Sequence, residues 1–233
     1  MTNAVSREQV EALVRQALKR HQPQAAGTGP GAVNGVGVAT DAPRLIANIS
    51  ARHAHLSQQA LDLLFGPRRS LTVLKPLYQP GAYAAEETVT IFGPRKQMIS
   101  NLRVLGPLRD ACQVELAFSD ARFLGIDAPV RVSGNIAGSA GCYLVGPHGG
   151  IEMSEGVIRA ARHVHMNQGE AGYYGVTEGE GMRLVVDSAQ SGVLDDVTVR
   201  IGADVKLEVH VDTDEGNAVD LINARKVTLE RTR

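Results

Sequence analysis

The chain has 233 residues, 24 of them basic and 25 acidic, for a net charge of −1. So even a balance gives no electrostatic footprint for nucleic acid or an anionic membrane, and the length suffices for one large domain or two small ones. With no tryptophan, 25 glycines and two cysteines outside any C-x-x-C spacing, the composition favours compact β structure, argues against disulfide or thiolate-metal scaffolding, and suits a reducing cytoplasm.

No run approaches the roughly 18 apolar residues of a membrane span, and no secretory signal pattern opens the chain. Residues 5–20 carry Val10, Leu13, Val14, Ala17 and Leu18 at helical spacing behind Ser6 as N-cap, an amphipathic helix suited to docking on another protein. The stretch from there to residue 42 is rich in Gly, Ala, Gln and Pro and reads as a flexible linker, with His21 solvated beside it. From Pro43 the composition becomes that of a folded domain. A strand over Leu45–Ser50 leads to His53 and His55, and Ser57 caps a helix over Gln58–Phe65 that Gly66-Pro67 closes. Short β segments follow at Leu71–Leu77, Thr88–Phe92, Asn101–Leu105 and Gln113–Phe118. More lie at Val130–Ser133, Cys142–Val145, Ile158–Val164, Met182–Asp187, Val197–Ile201, Lys206–Val211 and Val227–Glu230, a spacing typical of barrels or sandwiches. Strand exits ending in Gly93-Pro94, Gly106-Pro107 and Gly146-Pro147 repeat. Together with a duplicated histidine motif they predict two related halves, residues 43–127 and 128–233, with the last strand free to cross back to the first half.

That motif is Ala51-Arg52-His53-Ala54-His55-Leu56-Ser57-Gln58, nearly copied as Ala161-Arg162-His163-Val164-His165-Met166-Asn167-Gln168, and it holds four of the seven histidines. Residues two apart share a face only on extended backbone, so each pair converges only as a strand. Glu115 and His210 sit at inward-facing places in their own strands, where an unpaired carboxylate is costly. His53, His55, Glu115, His163, His165 and His210 thus offer nitrogen and oxygen ligands without sulfur, the donor set of catalytic rather than structural metal sites. Two ions fit such a set; zinc is favoured, though cobalt, iron or manganese would suit it. His148 reads as a turn residue. Arg103 and Arg109 could grip an anion beside a dication, and Lys75, Arg95 and Lys96 are further cations whose ordinary reading is surface solubility.

These residues resemble those of the phosphate propanoyltransferases, or phosphotransacylases, of the propanediol-utilisation type. The resemblance lies in Asn48-Ile49-Ser50-Ala51-Arg52-His53-Ala54-His55-Leu56, in Val104–Arg109 with Gln113-Val114-Glu115, in Ala160–Met166 and in Glu208–Ala218, in family order. It implies two β-barrel halves capped by short helices, a dinuclear metal site and exchange between acyl-CoA plus phosphate and acyl phosphate plus CoA. By the same resemblance the six histidine and glutamate positions are metal ligands, Arg109 holds phosphate, and Ser50, Ala51, Lys75, Arg103 and Asn217 contact CoA. Residues 1–20 become an encapsulation peptide for a bacterial microcompartment shell, with the lumen as location and room for a homo-oligomer. Gly216 departs from the pattern, where a larger residue is expected. Two other readings stand beside this one: a two-metal hydrolase of esters or phosphates, and a non-catalytic assembly protein with structural metal.

Overall fold

The structure, a computed structural model, describes residues 42–232; the helix expected at 1–20, His21 and nearly all of the 21–42 linker lie outside them. Strands form where apolar residues alternate. In β12 (Gly192–Ile201), Val197 and Val199 are wholly buried while Thr198 and Arg200 face the other way.

Pairing runs from β4 (Tyr83–Phe92) to β5 (Met98–Gly106), β2 (His53–His55), β6 (Gln113–Glu115), β9 (Gly150–Ala160) and β8 (Ala140–Val145). Since β8 also pairs with β4, these six strands close a barrel, with β3 (Val73–Pro76) and β7 (Val130–Arg131) at its rim. A second, curled sheet takes the order β1 (Ile46–Ser50), β13 (Glu208–Asp212), β10 (His163–Met166), β12, β11 (Gly181–Asp187) and β14 (Lys226–Arg231). Short helices cap the strands: α1 (Gln58–Phe65), α2 (Phe118–Leu124), α3 (Gln168–Tyr174) and α4 (Thr213–Ala218), followed by a 3-10 turn at Leu221–Asn223. Each sheet has its own apolar core. Leu56, Leu61 and Leu64 are completely buried where α1 seals the barrel, each stabilising the fold by roughly 2 kcal/mol.

The halves repeat one another, and they exchange a strand. β1 leads into β2 but pairs with β13 of the curled sheet, whereas β9 leads into β10 but pairs with β6 of the barrel. Each crossing uses a two-residue break, Ala51-Arg52 in one case and Ala161-Arg162 in the other. The arginines fasten these breaks in matching ways: Arg52 bonds Asp120 of α2 at 3.0 Å, and Arg162 bonds Glu215 of α4 at 2.6 Å. A cut at Asp127 therefore separates the repeats but not the sheets. Residues 130–160 build the barrel, Ile46–Ser50 belongs to the curled sheet, and it is this first strand, not the last, that crosses.

Two segments expected as single strands are divided. The strand at Gln113 stops at Glu115 and α2 starts at Phe118; the segment over Ile158–Val164 breaks at Ala161-Arg162 so that the chain can change sheets. The α1 boundaries and the Ser57 cap agree with expectation, the Ser57 hydroxyl accepting from the Ala60 amide at 3.2 Å. Gly216 has a packing reason: a Cβ there would lie 2.5 Å from Ile49 Cδ1, so its absence makes room for the exchanged strand.

Candidate active site

Because Ala54 and Val164 point into the two cores with no exposed surface, strand alternation turns His53 and His55, and likewise His163 and His165, toward the space between the sheets. Antiparallel neighbours complete each set. His53 pairs in register with Glu115 and His55 with Gln113; His163 pairs with His210 and His165 with Glu208. The result is two clusters, His53-His55-Glu115 and His163-His165-His210, in each of which the potential ligand atoms all lie within 4.8 Å of one another.

Backbone carbonyls orient the leading histidines. His53 Nδ1 donates to the Ala51 carbonyl at 2.8 Å and His163 Nδ1 to the Ala161 carbonyl at 3.0 Å, with the proton assigned from these contacts. That leaves each Nε2 lone pair free, the arrangement in which imidazole binds metal. His210 is held through Nδ1 by the Ser50 hydroxyl at 3.1 Å. Its Nε2 lies 3.0 Å from Glu208 Oε2 but out of hydrogen-bonding alignment, and it and His55 Nδ1 are buried atoms without a hydrogen-bond partner. Orphaned buried nitrogens are costly unless something binds them. Their convergence with carboxylate oxygens suits a divalent cation at each cluster.

The electrostatics of the two clusters differ. In the first, burial alone would depress His53, but the Glu115 carboxylate 3.4 Å away and the Ala51 carbonyl lift it above the ordinary imidazole value. Burial likewise opposes ionisation of Glu115, yet His53, His55 and the Ser133 hydroxyl hold it well below the usual carboxylate range. His55 is pushed down to about 3 by burial, His53 and Arg109. In the second cluster, burial and His210 push His163 down to about 4, and burial with His163, His210 and Arg200 pushes His165 down to about 3. His163 and His165 are therefore held in the neutral form that ligates, while Glu115 favours the protonated form of His53, against which a cation would compete.

Both clusters line one cavity of about 590 Å³, with Arg109, Arg103, Lys75, Ser50 and Ala51 also on its wall. Arg109 Nη1 donates to the Ser133 hydroxyl at 3.2 Å, and Ser133 donates to Glu115 at 2.9 Å, so one serine ties the guanidinium to the first cluster. Burial lowers the Arg109 pKa, Glu115 opposes that, and Arg200 adds to it.

Residues 46–222 match the family model described as phosphate propanoyltransferase. The chain belongs to the phosphate propanoyltransferase family. Among curated relatives, a phosphate propanoyltransferase of Planctopirus limnophila is 53% identical over 97% of this chain and 91% of its own. One from Thermotoga maritima is 48% identical over 77% of this chain and 85% of its own, and one from Salmonella typhimurium is 44% identical over 75% and 83%. Family membership makes the chain an enzyme of the phosphotransacylase class, as its motifs imply, and removes the reading as a non-catalytic assembly protein. Among the described residues no helix is long and apolar enough to cross a membrane.

Within this phosphotransacylase the expected site residues are brought together with one exception. Asn217 is exposed on α4 and absent from the cavity wall. Ser50, expected against CoA, is also the partner of His210, and Arg103 spends Nη1 on the carbonyls of Ala85 and Glu86 at 3.0 and 2.9 Å. His148 belongs to neither cluster; its amide bonds the Leu64 carbonyl at the end of α1. Sequence reasoning missed Gln113, Ser133, Arg200 and the role of Glu208. Glu208 is 1% exposed, not on a solvated face, and is held by Asn48 at 3.2 Å and Gln79 at 2.8 Å. Spacing did hold a signal for Gln113, which shares a face with Glu115.

Proposed function

We propose that the enzyme interconverts a short-chain acyl-CoA such as propanoyl-CoA, plus phosphate, with acyl phosphate plus CoA, at a site holding two divalent metal ions. The observation that carries this reading is that two histidine-rich clusters and Arg109 line a single cavity. His53, His55 and Glu115 would hold one ion and His163, His165 and His210 the other, with zinc preferred for a nitrogen-and-oxygen set. Bound there, the ions would supply Lewis-acid polarisation of the thioester carbonyl and charge neutralisation for phosphate.

The chain's own residues do the rest. Arg109, steadied by Ser133, presents a guanidinium to phosphate, and its two parallel donors fix which oxygen faces the carbonyl carbon. Phosphate is an anion at neutral pH, so its oxygen forms the new C–O bond without a strong general base. As the C–S bond breaks, CoA departs as a thiolate, a tolerable leaving group because a thiol pKa is about 8.5. Cys112 and Cys142 are absent from the cavity wall, and burial pushes the Cys142 thiol up to about 12, which supports direct transfer over an acyl-enzyme. Lys75, Arg103 and Ser50 with Ala51 remain the proposed CoA contacts.

The test is release of free CoA from propanoyl- and acetyl-CoA by metal-analysed protein, with and without phosphate. Release that requires phosphate and yields acyl phosphate is expected; equal release without it would point to a hydrolase. For the N-terminal segment we propose encapsulation in a microcompartment, where shell proteins are its partners. The Planctopirus match, at 97% of the chain, takes in most of the residues before 42, which supports a shared role for that segment. Removing residues 1–20 is expected to spare turnover and abolish co-localisation with shell proteins.

A further inference from the structure

Arg200 is a cation that neither the motifs nor the duplicated frame assigns. It lies on β12 directly beside His165 in a parallel pair, with Val197 and Val199 buried on the opposite face, so alternation sends its side chain to the cavity that both clusters line. Surface arginines usually find a carboxylate. Arg200 forms no ion pair and no side-chain hydrogen bond among the described residues, although Asp204 and Glu208 line the same cavity. Glu208 is already taken up by Asn48, Gln79 and His210. Arg109, from the loop that follows β5 of the barrel, lines the same cavity, and the Arg200 charge adds to the lowering of its pKa.

Two guanidinium groups thus line one cavity, Arg109 from the loop after β5 and beside the first cluster, Arg200 from β12 and beside the second, and among the described residues Arg200 has no ion-pair partner. We infer that Arg200 is the second jaw of a clamp, closing with Arg109 on the tetrahedral phosphate dianion that enters or leaves as the reacting group. Its position decides against the phosphates of CoA. The diphosphate of that molecule is separated from its sulfur by the whole pantetheine arm, so a cation adjoining the ligand histidines stands at the reacting end. A dianion shared by two planar, permanently charged groups is held by parallel donors on both sides, which fixes orientation as well as charge. Because one jaw follows β5 of the barrel and the other stands on β12 of the curled sheet, phosphate would also join the two halves of the site.

The inference rests on the proposed reading of the site, and its test separates the two. Metal-loaded full-length enzyme and the variants Arg200→Ala, Arg200→Gln and Arg200→Lys are compared by steady-state kinetics and by calorimetric titration with inorganic phosphate alone. Wild-type protein lacking phosphate-dependent CoA release would sink the functional reading, while the titration still reports on the clamp. For Arg200→Ala and Arg200→Gln, the KM for phosphate should rise on the order of 10- to 100-fold, with parallel weakening in the titration. The KM for acyl-CoA should stay within about twofold and the metal content be unchanged, since phosphate contacts alone are removed. Arg200→Lys should restore part of the loss, because the charge returns without the fork. Unchanged phosphate binding in all three variants overturns the clamp. So does a rise confined to the KM for acyl-CoA, or a loss of metal that accounts for the defect.

Discussion

The two clusters share one frame and distribute charge differently within it. Each has a histidine pair on one strand and two opposing residues on the antiparallel neighbour, with a carbonyl orienting the leading imidazole. In the barrel the opposing pair is Gln113 and Glu115, so the carboxylate faces the leading histidine; in the curled sheet it is Glu208 and His210, so the carboxylate faces the trailing one. Each half therefore brings one negative charge, shifted by one place. The shift leaves His53 raised and paired with an anion, while His163 and His165 are depressed by burial and by other imidazoles. A duplicated backbone has thus become two chemically distinct sites, the first better able to hold a cation by charge and the second by neutral nitrogen.

Removing one leading histidine at a time breaks this comparison most severely. His53→Ala and His163→Ala should each release about one of two metal equivalents, leaving the other cluster loaded, and each should lower turnover on the order of a thousandfold. Elemental analysis beside the CoA-release assay checks both halves of the statement. If either variant lost both metals, the clusters would form one cooperative site rather than two.

The shifted carboxylate can be tested with a smaller change. Glu208→Gln keeps the shape and an acceptor oxygen for one of the two donors, Asn48 or Gln79, but removes the charge beside His210. Loss of such a neighbour should weaken metal binding at the second cluster on the order of 10- to 100-fold and leave the first within experimental error. Competition with a chromophoric chelator reads the two affinities. Equal weakening at both would contradict the division of roles.

Acid separates the clusters without mutation. His55, His163 and His165 have folded pKa values of about 3, about 4 and about 3 against 6.5 ordinarily, so below pH 6.5 the unfolded chain takes up protons that the folded chain refuses. The stability they represent is present above about pH 6.5 and drains away between there and about 4 for His163 and about 3 for His55 and His165, by up to about 2 kcal/mol per group at pH 5. His53 acts oppositely: its pairing is fully stabilising below 6.5 and is lost as pH rises through its lifted folded value, while Glu115 stabilises above 4.5 and fails only below it. Metal-free protein should accordingly lose thermal stability from pH 6.5 to 4.5, and His165→Asn should flatten that slope while His53→Asn, whose own contribution changes only above 6.5, leaves it nearly unchanged. Since the chain has no tryptophan, circular dichroism is the suitable probe. An identical slope in both variants would mean that the acid sensitivity originates elsewhere.

How much of this was legible depends on the range of the interaction. The histidine pairs, Glu115 and His210 could be read because a period of two places them on one face of a strand. The α1 helix could be read because its own Ser57 caps it. By contrast α2 has no capping side chain of its own; the Ser119 amide and hydroxyl bond Asp214, from the far end of the other repeat, at 2.7 and 2.8 Å. Arg200 stood in a plain alternating strand, and only pairing across the sheet reveals that His165 is its neighbour. The exchanged strands were invisible for the same reason: a sequence records which segments are extended, not which partner each one chooses.

That exchange is open to the mildest test. Ala121, six positions after Glu115, and Gly216, six positions after His210, occupy matching places in α2 and α4, and both are buried. The barrel tolerates a methyl at this place; in the curled sheet Ile49 of the exchanged strand fills it, with Cδ1 and Cγ1 each 2.5 Å from where a Cβ would stand. Gly216→Ala gains up to about 1 kcal/mol in helix propensity, while crowding of a packed site costs about 1–3 kcal/mol. Because the ends of the Ile49 side chain can shift, a net loss of about 1 kcal/mol is expected, too small to impair folding and large enough to measure by denaturant titration. The double variant with Ile49→Val, which lacks Cδ1, should recover part of that loss, since residues in contact do not act independently. Simple additivity of the two changes would mean that β1 does not press on α4, and the matching of the two repeats would then need another cause for its one small residue.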